Sequence, residues 1–153
     1  MNQPRPHVPN PMHARKRARR LALQALYQWQ LASQNLKDID LQFREEQDMS
    51  QVDVAYFHEL LHKIPANLDR IDQGFAALVD RSVNEIDPVE RAILRIAVYE
   101  LLFRLDIPYR VILNEAVALA KTFGASESHR FINGALDQAA KNLRAAEVKA
   151  DRG

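Results

Sequence analysis

The stretch Asp87–Leu105, DPVERAILRIAVYELLFRL, determines the fold of this chain. Asp87 can cap the amino end of a helix, Pro88 suits the first helical position, and Glu90 can close a capping box. Apolar residues then fall on nearly every side of the helix, which is typical of a helix that is buried all round. We therefore predict a central helix over 88–105, around which the rest of the chain packs.

Amphipathic segments flank this central helix on both sides. Apolar residues recur at helical spacing, and no convincing strand alternation appears. Pro65 should kink or split the segment 54–79, and Gly124 should end the helix that begins at Tyr109. The predicted helices cover about 14–33, 38–47, 54–79, 88–105, 109–123 and 127–143. The sequence thus predicts an all-α protein with six or seven helices.

The chain divides into three parts by composition. Residues 1–13 hold four of the 7 prolines and are predicted to be a disordered leader. Residues 14–143 carry the helical pattern and are predicted to form a single domain with a real core. Residues 144–153 are polar and are predicted to be a frayed tail.

Composition excludes several classes of protein. The chain has no cysteine, which excludes disulfides, thiol nucleophiles and cysteine-ligated metal sites. No apolar run reaches the roughly 20 residues that a membrane span needs, and no apolar signal segment appears. The four glycines are isolated, so no phosphate-binding loop is present and no cofactor is predicted. We expect a cytoplasmic protein that makes no contact with a membrane.

A basic arm, ARKRARR at Ala14–Arg20, precedes the first apolar positions. The first 20 residues hold 6 basic side chains and no acid, whereas residues 21–153 hold 15 basic and 20 acidic side chains. Clustered cations can neutralise phosphates and release counterions, and arginine can also stack on the bases of single-stranded RNA. RNA is therefore the predicted ligand, and a solvated arm that aids solubility is the alternative.

The segment His58–His62, HELLH, matches the H-E-x-x-H signature of zinc proteases. Two histidines one turn apart could bind zinc, with Glu59 as the general base. The longer form of the signature needs Gly and His where this chain has Pro65 and Leu68, and Glu85 is the remaining distal candidate ligand. We predict no metal site and no catalytic residues, with a zinc hydrolase as the alternative.

A third candidate is the helix connection Lys121–Gly134, KTFGASESHRFING. Its lysine, histidine and arginine could meet phosphate or a partner protein. Alternatively it is a helix corner in which Phe123 and Phe131 belong to the core. Ser128 and His129 are adjacent in sequence, and this alone does not make a catalytic triad, because triad partners meet through the fold.

Four separated motifs then identify a family. They are LALQALYQWQ at 21–30, ERAILRIAVYEL at 90–101, IPYRVILNEAVALAKTFG at 107–124 and SHRFINGALD at 128–137. In this order, and over about 14–143, the chain resembles the NusB family of bacterial transcription antitermination factors. The resemblance implies an all-α, NusB-like fold of about seven helices in two packed helical bundles.

The resemblance also implies a function. Family members are not enzymes; they bind the boxA element of nascent ribosomal RNA transcripts together with NusE, a ribosomal protein of the small subunit. The pair engages RNA polymerase with other Nus factors and prevents premature termination. Members differ in being monomers or homodimers, so a homodimer stays open here. A related module is fused to ribosomal RNA cytosine methyltransferases, which need a catalytic cysteine that this chain lacks.

Residue roles follow by resemblance. The implied RNA contacts are Arg15, Lys16, Arg17, Arg19, Tyr27, Lys121 and Phe131. Glu90, at the start of the central helix, and Glu127, at the start of the last predicted helix, are expected to face NusE. Arg20 stands where some relatives have an acidic residue and adds charge to the arm. A protein-binding adaptor whose basic arm is incidental is the remaining alternative.

Overall fold

The computed structural model describes residues 10–152, and this part of the chain contains helices and loops but no strand. The α-helices are α1 Pro11–Ala32, α2 Leu36–Glu46, α3 Val54–Ala66, α4 Leu68–Gln73, α5 Pro88–Phe103, α6 Tyr109–Phe123, α7 Ser128–Leu143 and α8 Ala145–Arg152. Two short 3-10 helices, Ala76–Leu78 and Val83–Glu85, connect α4 to α5. The prediction of an all-α protein is confirmed.

The helices form two bundles that share α5. Helices α1, α2 and α3 pack on one another, and α4, α6 and α7 pack around α5, with α8 against α7. Helix α5 also contacts α1 and α3, and so joins the two bundles. Within residues 10–152, no helix has both the length and the apolarity required to cross a membrane.

Helix α5 has the central position that its sequence predicts. The Asp87 carboxylate accepts hydrogen bonds from the backbone N–H groups of Val89 at 2.9 Å and Glu90 at 3.2 Å, which caps the amino end. Every residue from Arg91 to Leu101 is buried. The helix ends at Phe103, two residues earlier than predicted.

Three charged side chains of α5, Arg91, Arg95 and Glu100, are buried, and two of them form ion pairs with other α-helices. Glu100 is 1% exposed and pairs with Arg19 of α1. Arg95 forms a two-bond ion pair with Asp72 of α4, at 3.0 and 2.9 Å. A buried charge is tolerated only when it is paired and hydrogen-bonded, so these contacts fix how α1 and α4 sit on α5.

Two boundaries reflect local chemistry. Pro65 lies in the last turn of α3, which ends at Ala66, and α4 begins two residues later; the predicted interruption is therefore a split into two helices. Helix α1 begins at Pro11 rather than at residue 14, because the Asn10 side chain accepts a hydrogen bond from the N–H of Met12 at 2.9 Å. Residues 1–9 of the predicted leader lie outside the described residues.

The predicted frayed tail is instead an ordered helix, α8. The Arg144 guanidinium is buried and donates to the backbone carbonyls of Glu100, Leu101 and Arg104, at 3.0, 3.1 and 2.9 Å. These carbonyls lie at the end of α5, where a helix runs short of backbone donors; those of Glu100 and Arg104 also accept from the N–H groups of Arg104 and Ile107, both at 3.0 Å. Glu147 of α8 accepts from the N–H of Tyr109 at 2.8 Å and caps α6 in the same way. The tail is ordered because it completes the ends of two earlier helices.

Candidate nucleic-acid interface

The basic arm is the first half of α1, and the helical period divides its cations between two faces. Arg15 and Arg19, four residues apart, share the face that packs on the protein. Arg17 and Arg20, three residues apart, share a face directed to solvent, and both are exposed. One run of sequence therefore supplies two surfaces with different surroundings.

On the inward face, Arg19 is 4% exposed. Its guanidinium lies 2.9–3.2 Å from the Glu100 carboxylate, which also accepts a hydrogen bond from the hydroxyl of Tyr56. Burial lowers the pKa of Arg19, but the ion pair with Glu100 raises it by more. The pKa is therefore above its ordinary value, and the guanidinium stays charged. Burial and Glu100 also raise the pKa of Tyr56, which stays a neutral donor. This placement argues against the RNA contact implied for Arg19, because its guanidinium is buried and paired with Glu100.

The other two cations near this face have acidic or aromatic neighbours. The Arg15 guanidinium lies 4.9 Å from the centre of the Tyr56 ring. The Lys16 ammonium lies 3.8 Å from a carboxylate oxygen of Glu115. Asp106 and Glu115 line the same depression as Arg15. This side of α1 therefore has mixed charge, and its cations are partly neutralised by the protein itself.

On the outward face, Arg17 and Arg20 line a shallow cleft of about 230 Å³. Gln24 continues this wall along α1, and Phe123 at the end of α6 forms part of the cleft. Asp48 is the acidic side chain in the lining. Two exposed cations and the Phe123 side chain thus line the same cleft.

A larger, more apolar depression of about 520 Å³ adjoins the cleft. Gln24 and Phe123 line both, and Tyr27, 39% exposed, lines the larger one. We call the combined depression, lined by Arg17, Arg20, Gln24, Tyr27 and Phe123, the arginine–aromatic groove. Cations beside aromatic side chains suit single-stranded nucleic acid, because the cations hold phosphates while the rings stack on bases.

The remaining predicted residues lie around this groove or apart from it. Glu90 is half-buried and follows Val89, which lines the groove. Lys121 is exposed, two residues before Phe123. Glu127 pairs with Arg130 at 3.1 Å on the surface.

Phe131 is half-buried against the core, and the guanidinium of Arg81 lies over its ring, 5.7 Å from the ring centre. Phe123 is likewise only partly buried. Each ring is therefore partly packed on the core and partly accessible. The helix connection has features of both alternatives, a core corner and a contact surface.

Sequence reasoning left three groove residues without an assigned contact: Arg20, Gln24 and Phe123. The first two could have been found, since Arg17, Arg20, Gln24 and Tyr27 follow one another at three- or four-residue intervals. Phe123 comes from α6, about 100 residues away, and no local pattern places it beside α1.

The H-E-x-x-H segment does not form a hydrolytic site. Glu59 accepts hydrogen bonds from the Tyr99 hydroxyl at 2.7 Å and from Arg104 at 3.2 Å. The two histidines instead lie beside Asp40 of α2. Since Glu59 is held by other partners, it is not available as the base that activates a metal-bound water.

Comparison with known proteins supports the same family. A protein named transcription antitermination protein NusB from Pseudomonas fluorescens is 48% identical over 153 residues, covering 95% of this chain and 92% of its own. The structure of NusB from T. maritima is 32% identical, with a TM-score of 0.75, covering 88% of this chain and 93% of that one. A structure of antitermination factors NusB and NusE in complex with dsRNA matches with 25% identity and a TM-score of 0.73, over 86% of this chain and 98% of that one.

The fold and the sequence therefore agree. The NusB-like fold of two helical bundles is confirmed by the structural matches. NusB proteins are RNA-binding transcription antitermination factors, not enzymes. Residues 16–141, most of the chain, match the model of the NusB family, and this chain therefore belongs to that family.

Proposed function

We propose that this chain binds the boxA element of nascent ribosomal RNA transcripts together with NusE, and so prevents premature termination by RNA polymerase. RNA polymerase and other Nus factors are engaged indirectly, through this RNA–protein assembly in the cytoplasm. Family membership supports the proposal, as does the complex of NusB and NusE relatives with dsRNA.

The observation that carries the proposal is the arginine–aromatic groove. Arg17 and Arg20 are exposed and line one part of the groove, which adjoins, at Gln24 and Phe123, the part lined by Tyr27. Phosphate contacts supply affinity and make it depend on salt, whereas stacking holds unpaired bases. The groove offers both kinds of contact to a single strand.

The proposal gives the predicted residues different roles. Arg17 and Tyr27 contact RNA in the groove, with Arg15 and Lys16 adding positive charge at the start of α1. Arg19 is a positioning residue, since its ion pair with Glu100 holds α1 on α5.

The end of α6 and the start of α7 extend the proposed RNA surface through Lys121 and Phe131. Glu90 and Glu127 are acidic and accessible at the amino ends of α5 and α7, and they are proposed to face NusE.

The test is binding to a short boxA RNA and to a scrambled RNA, with and without NusE, at two salt concentrations. We expect preference for boxA, tighter binding with NusE, and weaker binding at higher salt. The double variant R17A/R20A should bind RNA more weakly and respond less to salt. The control R70A/R152A removes the same charge from α4 and α8, away from the groove, and should bind normally.

The outcomes separate the alternatives. Equal, weak binding to both RNAs and no effect of NusE would refute the proposal. Binding to NusE without RNA binding would favour the protein-binding adaptor. Sedimentation of the free chain should be measured alongside, because a homodimer that covers the groove would dissociate when RNA is added.

A further inference from the structure

Three potential metal ligands meet where α2 packs on α3. One carboxylate oxygen of Asp40, Oδ2, lies 2.6 Å from Nδ1 of His58 and 2.8 Å from Nε2 of His62. All three ligand atoms lie within 4.8 Å of one another. Asp40 belongs to α2 and the histidines to α3, so the cluster spans two helices.

The donor set has the chemistry that Zn²⁺ prefers. Two imidazole nitrogens and one carboxylate oxygen leave one position of a tetrahedron for water. With metal–ligand bonds of about 2.0–2.1 Å, ligand atoms in a tetrahedral site lie about 3.3 Å apart. The observed separations of 2.6 and 2.8 Å therefore need to open by less than about 1 Å.

The surroundings allow that movement. The side chains of His58 and His62 are 52% and 29% exposed, so each ring can shift into solvent. Asp40 is buried and is oriented by Arg44, whose Nε donates to the other carboxylate oxygen, Oδ1, at 2.7 Å. A hydrogen bond of this kind orients a ligating carboxylate without occupying its metal-binding oxygen.

Arg44 is the one positive charge in contact with the cluster in the described residues. Its terminal nitrogen lies 3.2 Å from Nδ1 of His58. Because the Arg44 side chain is 41% exposed, that end of the guanidinium can turn to solvent while Nε keeps its bond to Asp40. A bound metal would thus replace one Arg44 contact and retain the other.

We propose that Asp40, His58 and His62 form a binding site for a divalent transition metal such as Zn²⁺, which clips α2 to α3. The role is structural, because Glu59 is bonded to Tyr99 and Arg104 and supplies no base to the metal-bound water. The site does not depend on RNA binding, since none of its ligands lines the arginine–aromatic groove.

The test uses the full chain freed of metal and titrated with Zn²⁺ in competition with a chromogenic chelator. We expect one Zn²⁺ per chain and a higher melting temperature on binding. The variant H58Q/H62Q should lose at least about 100-fold in affinity, a larger loss than removal of an outer-shell partner causes. The control H13Q/H129Q removes two other histidines and should bind normally.

A second measurement does not depend on a variant that folds. Co²⁺ added to the unmodified chain should give the intense visible absorption of a tetrahedral site, and Zn²⁺ should displace it. Absence of that absorption, absence of saturable binding, or equal losses in the two double variants would overturn the proposal. Equal losses would mean that scattered surface histidines take up the metal.

Discussion

The two faces of α1 carry the same residue type in two opposite environments. Arg19 is enclosed by Glu100 and Tyr56, whereas Arg20, the next residue, is exposed in the arginine–aromatic groove. The first joins α1 to α5, and the second is free to meet a ligand. Adjacent residues of a helix point about 100° apart, so a cluster of charge in sequence is not a cluster in space.

The basic arm is therefore two sets of cations with different surroundings. Arg15, Lys16 and Arg19 each have an aromatic or acidic partner within the protein, while Arg17 and Arg20 have the groove. The field that an incoming polyanion meets is therefore concentrated on one side of the helix. We therefore expect the inward cations to contribute mainly to stability and the outward cations mainly to affinity for RNA.

The largest expected effect is on the inward face. The variant R19A leaves Glu100 buried without its ion-pair partner, and we expect the free energy of unfolding to fall by about 3–5 kcal/mol. Urea denaturation at neutral pH measures this. The control R20A should change stability by no more than about 0.5 kcal/mol. Equal midpoints for the two variants would mean that the two faces do not differ.

Arg144 extends the comparison to the second bundle. Replacement by alanine leaves the buried Leu101 carbonyl without a donor and removes one of the two donors to each of the Glu100 and Arg104 carbonyls, so R144A should lose about 2–4 kcal/mol of stability. The exposed Arg152 has only a surface ion pair with Asp137, and R152A should lose no more than about 1 kcal/mol. Thermal unfolding of both variants checks the difference; a larger loss in R152A would contradict it.

On the outward face, the contributions of Tyr27 and of the two arginines to RNA binding should differ in how they depend on salt concentration. The variant Y27A removes a stacking surface and should weaken RNA binding by about 1–3 kcal/mol, with the salt dependence unchanged. R17A/R20A should instead lower the slope of log affinity against log salt by about 1.4, or about 0.7 for each phosphate contact. Fluorescence anisotropy over a salt series measures both. Y27F is the control, and an altered slope in Y27A would argue against stacking.

The smallest expected effect concerns two glycines near the α6–α7 corner. A Cβ on Gly134 would meet nothing within 4 Å, so G134A should raise stability by about 0.5–1 kcal/mol. A Cβ on Gly124 would lie 2.8 Å from the Ala120 carbonyl oxygen and from Cβ of Ser128, so G124A should destabilise. Calorimetry of the two variants checks the signs; the same sign in both would refute the contrast.

Local signals predicted most of the fold. The Asp87 cap and Pro88 fix the start of α5, and the break at Pro108 fixes α6 at Tyr109–Phe123 as predicted. Gly124 follows α6 as expected, but its backbone is extended; the close approach of Ser128 is what requires glycine there. Helix α8 was missed because its order comes from the contacts of Arg144 and Glu147 with distant helix ends.

The candidate site was less predictable than the fold. Arg17 and Tyr27 were identified from the motifs of the family, and exposure is consistent with a role for both. The burial of Arg19 could not be read locally, because its partner Glu100 lies 81 residues away. Asp40 is likewise 18 and 22 residues from the two histidines that it contacts. Local sequence patterns do not show which charged residues pair across the fold.

The capping contacts of the last helix have a consequence for synthesis. The carbonyls at the end of α5 and the first N–H of α6 emerge from the ribosome about 40 residues before Arg144 and Glu147. Until those two side chains appear, the Leu101 carbonyl and the Tyr109 N–H must rely on water. The second bundle is therefore completed late in translation, and a stall before residue 144 would leave a nascent chain whose central helix is still open at its carboxyl end.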